Sequence, residues 1–242
     1  MNVIVVIQAR MESQRLPGKI MMKIEGKPVL EHIIDFLNHS EFIDRIVIAT
    51  SNLNEDDIVE QLALKLNIDC FRGDSADVLK RYFEAAKLFQ GELIIRITGD
   101  NPLIDPTIVD EIIKLCKESK CEYASNMIHQ TFPLGYLVEA ITFPILEEIY
   151  KTKKDNLNKE HITPHLRENY QKYNSKELFA DPEFTYPTWR LTLDYQEDFE
   201  LIKKIYSKLY KPGSYIPYKS VIKLLKKEPE LLQINEKHYL KK

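Results

Sequence analysis

The chain has 242 residues, of which 44% are hydrophobic and 29% charged, a balance that suits one α/β domain of a soluble globular protein. The formal net charge is −3, from 34 basic and 37 acidic residues. The cationic excess with which proteins grip nucleic-acid phosphates is therefore missing, and no nucleic-acid partner is expected. Glycine is scarce, with 7 in all and no two separated by a single residue. That rules out the G-x-G-x-x-G dinucleotide fingerprint and the kinase glycine loop. The G-x-S-x-G nucleophile elbow is also missing. Gly18-Lys19 does not close a P-loop, because Ser13 stands where its first glycine belongs and Ile20 where a Ser or Thr belongs. Cys70, Cys116 and Cys121 have no C-x-x-C spacing. The apolar start is too short for a signal or a membrane span. These features predict free thiols in a reducing cytoplasm, no zinc site and no membrane association.

Residues 3–7 form a β-branched run, as in a strand buried on both faces. A polar stretch from Gln8 to Gly18 follows. Pro28 opens a helix bearing Val29, Leu30, Ile33, Ile34 and Leu37 at helical spacing. Residues 46–49 predict a second strand. Asn54 is expected to cap a helix whose first turn is Glu55-Asp56-Asp57 and whose buried side is Ile58, Leu62 and Leu66. Residues 68–71 predict a third strand, a helix starts near Asp77, and residues 93–97 predict a fourth strand. That strand ends in the polar turn Thr98-Gly99-Asp100-Asn101-Pro102. Asp105 and Pro106 then open a further helix.

This alternation predicts a mostly parallel sheet with helices on both faces. Ligands on such sheets sit beyond the carboxyl ends of the strands, so the polar turns after the first and fourth strands are the places to look. Beyond about residue 120 the alternation fades. Short strands are expected at 121–126 and 136–142, helix over most of 143–170, a strand at 189–193, and helices at 196–210 and 217–227. The whole chain, 1–242, is expected to be a single domain with a less regular lobe at about 125–185.

The loop after the first strand carries Arg10, Arg15 and Lys19 within ten residues. Arg offers a bidentate fork to phosphate oxygens and Lys a compact point charge. The same charges would also suit a solvated loop. The order of residues decides between the two. Arg10-Met11-Glu12-Ser13-Gln14-Arg15-Leu16-Pro17-Gly18-Lys19 resembles the loop of the cytidylyltransferases, among them those that activate 3-deoxy-manno-octulosonate and acylneuraminate sugars, and in particular their spore-coat polysaccharide branch. Further motifs follow in collinear order: Ile48-Ala49-Thr50-Ser51, Phe71-Arg72-Gly73-Asp74, Asp77-Val78-Leu79, Arg96-Ile97-Thr98-Gly99-Asp100-Asn101-Pro102-Leu103, Tyr123-Ala124-Ser125-Asn126, Pro133-Leu134-Gly135, Glu160-His161-Ile162-Thr163-Pro164, and Arg190-Leu191-Thr192-Leu193-Asp194-Tyr195-Gln196-Glu197-Asp198. The likeness spans roughly residues 3–200.

The resemblance implies a Rossmann-like fold of the nucleotide-diphospho-sugar transferase type with a small lobe for acceptor and dimer contacts. It implies a CTP-dependent nucleotidyltransferase of the EC 2.7.7 type: an acceptor oxyanion attacks the α-phosphate of CTP and pyrophosphate leaves. Arg10, Arg15 and Lys19 would hold the triphosphate, with Arg10, Lys19 and Asp100 carrying the catalysis. Asp100 and Asp194 would ligate Mg²⁺, for which hard oxygen ligands are suited. Ala9, Arg72, Asp77 and Thr98 would complete the nucleotide site. Asn126, Gly135, Glu139, Glu160 and His161 would face the acceptor, a small acidic molecule such as an acidic sugar, a phosphate ester or a phosphonate. A homodimer and a role in surface polysaccharide or glycoconjugate synthesis follow from the same likeness.

One position departs from the pattern. Where the family usually shows P-x-G-x-D-V-E, this chain reads Pro133-Leu134-Gly135-Tyr136-Leu137-Val138-Glu139, which removes an aspartate from the acceptor side. A glycosyltransferase using a nucleotide-sugar donor is the alternative on a similar sheet. The D-x-D such enzymes commonly place at their metal is missing near Asp100.

Overall fold

The structure is a computed structural model, and it describes residues 1–152 and 163–239. Its centre is a seven-stranded sheet of order β5-β4-β1-β6-β8-β7-β9. Strands β1 (Val3–Gln8), β4 (Arg45–Ser51), β5 (Asp69–Gly73) and β6 (Leu93–Thr98) run parallel. Strand β8 (Glu139–Thr142) is antiparallel to β6 and to β7 (Tyr123–Ser125), and β9 (Ser175–Glu177) runs parallel to β7 at the edge.

The two faces of β1 show why its residues are β-branched and continuous. Val3, Val5 and Ile7 enter one apolar cluster, and Ile4 and Val6 enter another, as side chains alternating across a pleat must. The first cluster packs under α1 (Val29–Leu37), α2 (Asp57–Leu66), α4 (Pro106–Ser119), α7 (Gln196–Leu209) and α8 (Tyr218–Lys227). The second lies under α3 (Val78–Leu88) and α5 (Phe143–Thr152) and takes in Leu166 from the short α6 (Pro164–Glu168). Both faces of the parallel half are thus covered. The sequence-predicted caps of α3 and α4 are in place: Asp77 accepts from the Lys80 amide at 2.8 Å, and Asp105 from the Thr107 amide at 2.8 Å.

Two expectations need correction, and one element is additional. Asn54 does not cap α2. Residues Asn54–Asp56 form a 3-10 turn and α2 starts at Asp57. That tighter turn offsets the helical phase, so Val59, Leu62 and Ala63 face the core while Ile58 is 42% exposed. Residues 189–193 are extended but join no strand of the sheet. Their backbone bonds go to loops: the Leu191 amide donates to Leu134 O at 2.8 Å and the Leu193 amide to Asp100 O at 2.8 Å. A two-stranded ribbon, β2 (Lys23–Ile24) with β3 (Lys27–Pro28), was not expected. Its two-residue turn has Glu25 and Gly26 at φ 48° and 83°, the positive pair that a tight hairpin turn requires.

The strand order reverses between β1 and β6. From β1 the chain steps outward through β4 to β5, then returns to place β6 on the other side of β1. The crevice beyond the carboxyl ends of β1 and β6 is where such a sheet offers a binding site.

Gly135, expected on the acceptor side, holds a close backbone contact. Its φ is +109°, and a Cβ there would lie 2.4 Å from Leu191 O. Gly135→Ala should therefore lower folding stability by about 3 kcal/mol, read as a fall in the urea midpoint at unchanged slope.

Candidate active site

A cleft of about 460 Å³ opens at that reversal point, lined by Gln8, Arg10, Glu12, Ser13, Gln14, Arg15, Lys19, Ile20, Arg96, Thr98, Gly99, Asp100 and Asp194. The structure thus brings together six of the sequence-predicted residues: Arg10, Arg15, Lys19, Thr98, Asp100 and Asp194.

The loop after β1 is folded by its own backbone. The Gly18 amide donates to Met11 O at 3.0 Å, and residues Lys19–Met21 close a 3-10 turn in which the Met21 amide reaches Gly18 O at 2.9 Å. The Met11 amide donates to Asp56 Oδ1 at 2.6 Å. Asp56 is fully buried and also accepts the Ser51 amide at 3.1 Å and the Ser51 hydroxyl. The loop is therefore pinned to the end of β4.

Lys19 Nζ donates to Asp100 Oδ2 at 2.7 Å and to Asp194 Oδ1 at 2.8 Å. Asp100 is held in turn by the Thr98 hydroxyl at 2.6 Å. Asp194 receives Arg15 at 2.8 Å and Arg190 at 2.5 Å. Behind Arg190 lies Asp198, wholly buried. It accepts from Arg190 Nε at 3.1 Å, from the Asp194 and Tyr195 amides at 2.9 Å each, and from Asn235 Nδ2 at 2.8 Å. Burial pushes the Asp194 carboxyl up, but Lys19, Arg190 and Arg15 outweigh it and hold the group below its ordinary value of 3.8.

Two carboxylate oxygens drawn to one ammonium are near enough to share a divalent cation once that ammonium moves. Two carboxylates completed by substrate phosphates are a usual way to hold Mg²⁺. Among the described residues no group of three or more His, Cys, Asp or Glu forms a preformed metal cage. The donor set therefore fits a metal that arrives with a phosphate ligand.

Other predicted residues sit elsewhere. Arg72 turns away from the cleft. Its donors go to Ser51 O at 3.0 Å, Leu53 O at 2.8 Å, Asp57 at 2.6 Å and Glu60 at 2.9 Å, and these two acids hold it above its ordinary pKa. Asp77 is the α3 cap. Ala9 is buried, its amide donating to Ala49 O at 3.3 Å. Asn126 is fully buried as a backbone clamp, donating to Tyr136 O at 2.9 Å and accepting from the Val138 amide at 2.8 Å. Glu139 is fully buried beneath the cleft and is paired with Arg96 at 3.0 Å. Glu160 and His161 lie outside the described residues.

Sequence reasoning missed Arg96, Arg190, Asp198 and Asn235 as site residues. A charge in the apolar run Leu93-Ile94-Ile95-Arg96-Ile97 is a signal for the first. The four-residue spacing of Arg190, Asp194 and Asp198 is a signal for the next two. Nothing local marks Asn235.

A model of the cytidylyltransferase family matches residues 4–234. A solved cytidylyltransferase from Leptospira borgpetersenii is 34% identical, with a TM-score of 0.90 over 96% of this chain and 97% of that one. The spore coat polysaccharide biosynthesis protein SpsF of Bacillus subtilis is 33% identical over 212 residues, 86% of this chain and 87% of that protein. A CMP:2-keto-3-deoxy-manno-octonic acid synthetase solved with CTP shares the fold at 17% identity, with a TM-score of 0.65 over 86% of this chain and 99% of that one.

Two outcomes follow from the charge network. Asp198→Asn should cost about 3–5 kcal/mol, because it leaves Arg190 buried without its main counter-charge; urea unfolding reads this. A carboxyl whose pKa is lowered by folding contributes stability that is complete above its unfolded value and is lost as pH falls through the folded value. For Asp194 that loss lies below about pH 4. Lys19→Met removes its main lowering partner and brings the folded value closer to the unfolded one, so the fall of the melting temperature below about pH 4 should be shallower than in the wild type.

Proposed function

The chain belongs to the cytidylyltransferase family of nucleotidyltransferases, and from that membership we propose that it transfers CMP from CTP to a small acidic acceptor with Mg²⁺ as its cofactor. One observation carries this reading: Lys19 sits between Asp100 and Asp194 at 2.7 and 2.8 Å, in a cleft that Arg10 and Arg15 also line. The acceptor is an acidic sugar or a small phosphorylated or phosphonate compound, and the product serves surface polysaccharide or glycoconjugate synthesis. The role in polysaccharide synthesis is supported by the 33% identity to the spore coat polysaccharide biosynthesis protein. A cytoplasmic location is supported by three cysteines outside any disulfide. Among the described residues no helix is long and apolar enough to cross a membrane. Two copies pairing as a homodimer complete the reading.

In the reaction an acceptor oxyanion, its proton already lost to solvent, attacks the α-phosphorus of CTP. A new P–O bond forms, the α–β bridging P–O bond breaks, and its electron pair leaves with pyrophosphate. Arg10 and Arg15 bind the β- and γ-phosphates by bidentate hydrogen bonds. Lys19, released from the two aspartates, neutralises charge growing on the leaving pyrophosphate. Asp100 and Asp194 would hold the Mg²⁺, which when bound supplies charge stabilisation to the phosphoryl oxygens. Thr98 orients Asp100, and the buried Arg190–Asp198 pair orients Asp194.

Incubating the protein with each of the four nucleoside triphosphates, Mg²⁺ and a panel of acidic acceptors tests the reading, with pyrophosphate as readout. Release with CTP and an acceptor is expected, and no release with any nucleotide would overturn it. Asp100→Asn should lower kcat by about 10²–10³-fold with the melting temperature within a few degrees of wild type. Full activity in that variant would remove Asp100 from the metal site.

A further inference from the structure

Of the two arginines assigned to the phosphates, Arg15 is the harder to aim. It stands on the loop after β1 with 52% of its side chain exposed, and its carboxylate partner is Asp194 at 2.8 Å. A long exposed cation loses much rotamer freedom when it is fixed. Asp194 cannot supply the whole of that aim, because a carboxylate that turns to a metal gives up its hold on the guanidinium. A second contact is free of that conflict. The Arg15 guanidinium carbon lies over the Tyr195 ring, 5.2 Å from its centroid, within reach of the negative ring face. The Arg190 guanidinium carbon is 5.4 Å from the same centroid, so both arginines that bond Asp194 share one ring.

That ring is itself held in place. Tyr195 immediately precedes α7, and its amide donates to the buried Asp198 at 2.9 Å. Its ring stacks on the His238 imidazole, with centroids 3.7 Å apart and planes within 3°. His238 ends a 3-10 turn, Glu236–His238, and keeps 17% of its side chain exposed. Its Nε2 bonds Glu197 Oε2 at 2.9 Å, and Lys237 pairs with the other oxygen of Glu197 at 2.5 Å. Just before the turn, Asn235 is tied to Arg190 O and Asp198. The turn is thus fastened at both ends, to the start of α7 and to the buried end of the charge chain.

We infer that Tyr195 is a positioning residue for Arg15 and that His238 fixes its ring, so that the C-terminal turn sets the grip on the β- and γ-phosphates; this rests on the phosphate role given to Arg15 above. A neutral ring suits the task. A carboxylate aims a guanidinium but cancels its charge, whereas a ring face holds it and leaves the charge for phosphate oxygens. Stability alone does not call for the arrangement, since a contact made by a half-exposed cation adds little to folding. The turn reaches the nucleotide only through this stack: neither Tyr195 nor His238 lines the cleft, and Arg15 does.

The test measures binding of CTP, CMP and inorganic tripolyphosphate by calorimetry with Mg²⁺, beside pyrophosphate release, in wild type, Tyr195→Leu, Tyr195→Phe, His238→Ala, Arg15→Met and the double variant Arg15→Met/Tyr195→Leu. Tyr195→Leu should raise the Kd for CTP and for tripolyphosphate about 5–30-fold, and His238→Ala about 3–10-fold. CMP lacks the β- and γ-phosphates, so its Kd should stay within about threefold in both. Tyr195→Phe keeps a ring face and should recover most of the loss. On the Arg15→Met background Tyr195→Leu should add less than about twofold, because the ring acts through an arginine that is gone. A ring that merely supports the fold would weaken CMP and CTP alike, or would add its full factor to Arg15→Met; either result overturns the inference, as does an unchanged CTP affinity in Tyr195→Leu. His238→Ala, at the outer end of the stack, decides the matter where Tyr195→Leu does not fold. If tripolyphosphate binding depends on Arg15 and Tyr195 as expected but no nucleotide yields pyrophosphate, the seat stands and CMP transfer falls. If CMP transfer proceeds and the ring variants bind CTP like wild type, the inference falls and CMP transfer stands. A wild type that binds neither CTP nor tripolyphosphate overturns both.

Discussion

The site depends on one ammonium group held between two carboxylates. Asp100 comes from the end of β6, Asp194 from the loop before α7, and Lys19 from the turn after β1. Two carboxylates facing one another repel unless a cation stands between them, and here the chain supplies its own. The ammonium is placed by a loop that closes on itself through the Gly18 amide and is tied to β4 through Asp56. Three strand ends thus converge on a single charge.

From that charge the signs alternate through the protein. Asp100 faces Lys19, Lys19 faces Asp194, Asp194 faces Arg190, and Arg190 faces Asp198. Alternation is what allows five formal charges in a partly desolvated region, because each has an opposite neighbour and strong hydrogen bonds. The last member, Asp198, is capped by Asn235 near the end of the chain. Asn235 also donates to Arg190 O at 2.9 Å, so the C-terminal residues brace the site without touching the cleft. A substrate that brings polyphosphate together with a divalent cation fits this arrangement, since it adds both signs at once.

The parallel half of the fold was legible because its signals are local. β1 and β4 are built on apolar runs and β6 on one that only Arg96 interrupts, and Asp77 and Asp105 cap their helices as their position before an apolar repeat suggests. The α2 phase was not legible, because a 3-10 turn and an α-turn look alike in sequence. Residues 189–193 read as a strand because extended apolar chain reads the same whether its partner is a strand or a loop. That the loop after β1 and the two aspartates meet in one cleft was legible from their place after strands and from the motif order around them. Arg72 misled because an arginine beside a glycine looks alike whether it faces a phosphate or an acidic helix. Asn235 could not be found, since its contacts with Arg190 and Asp198 span about 40 residues of sequence.

Buried polar residues in this protein divide by whether the chain already satisfies them. Asn126 and Glu139 have the look of ligand-binding residues in sequence, yet each, like the buried Asp198, spends its hydrogen bonds on the protein. Leu137, which replaces an aspartate of the family pattern, packs against the main core and offers no polar group. Recognition needs donors that folding leaves free, because a buried group already paired has nothing to gain from a ligand. Along β6 only the open side of Arg96 meets that condition while its ion pair with Glu139 holds its aim. A few residues from Asp100 the chain therefore holds a cation whose orientation is set by the buried Glu139 and, through it, by Tyr123 and Thr163.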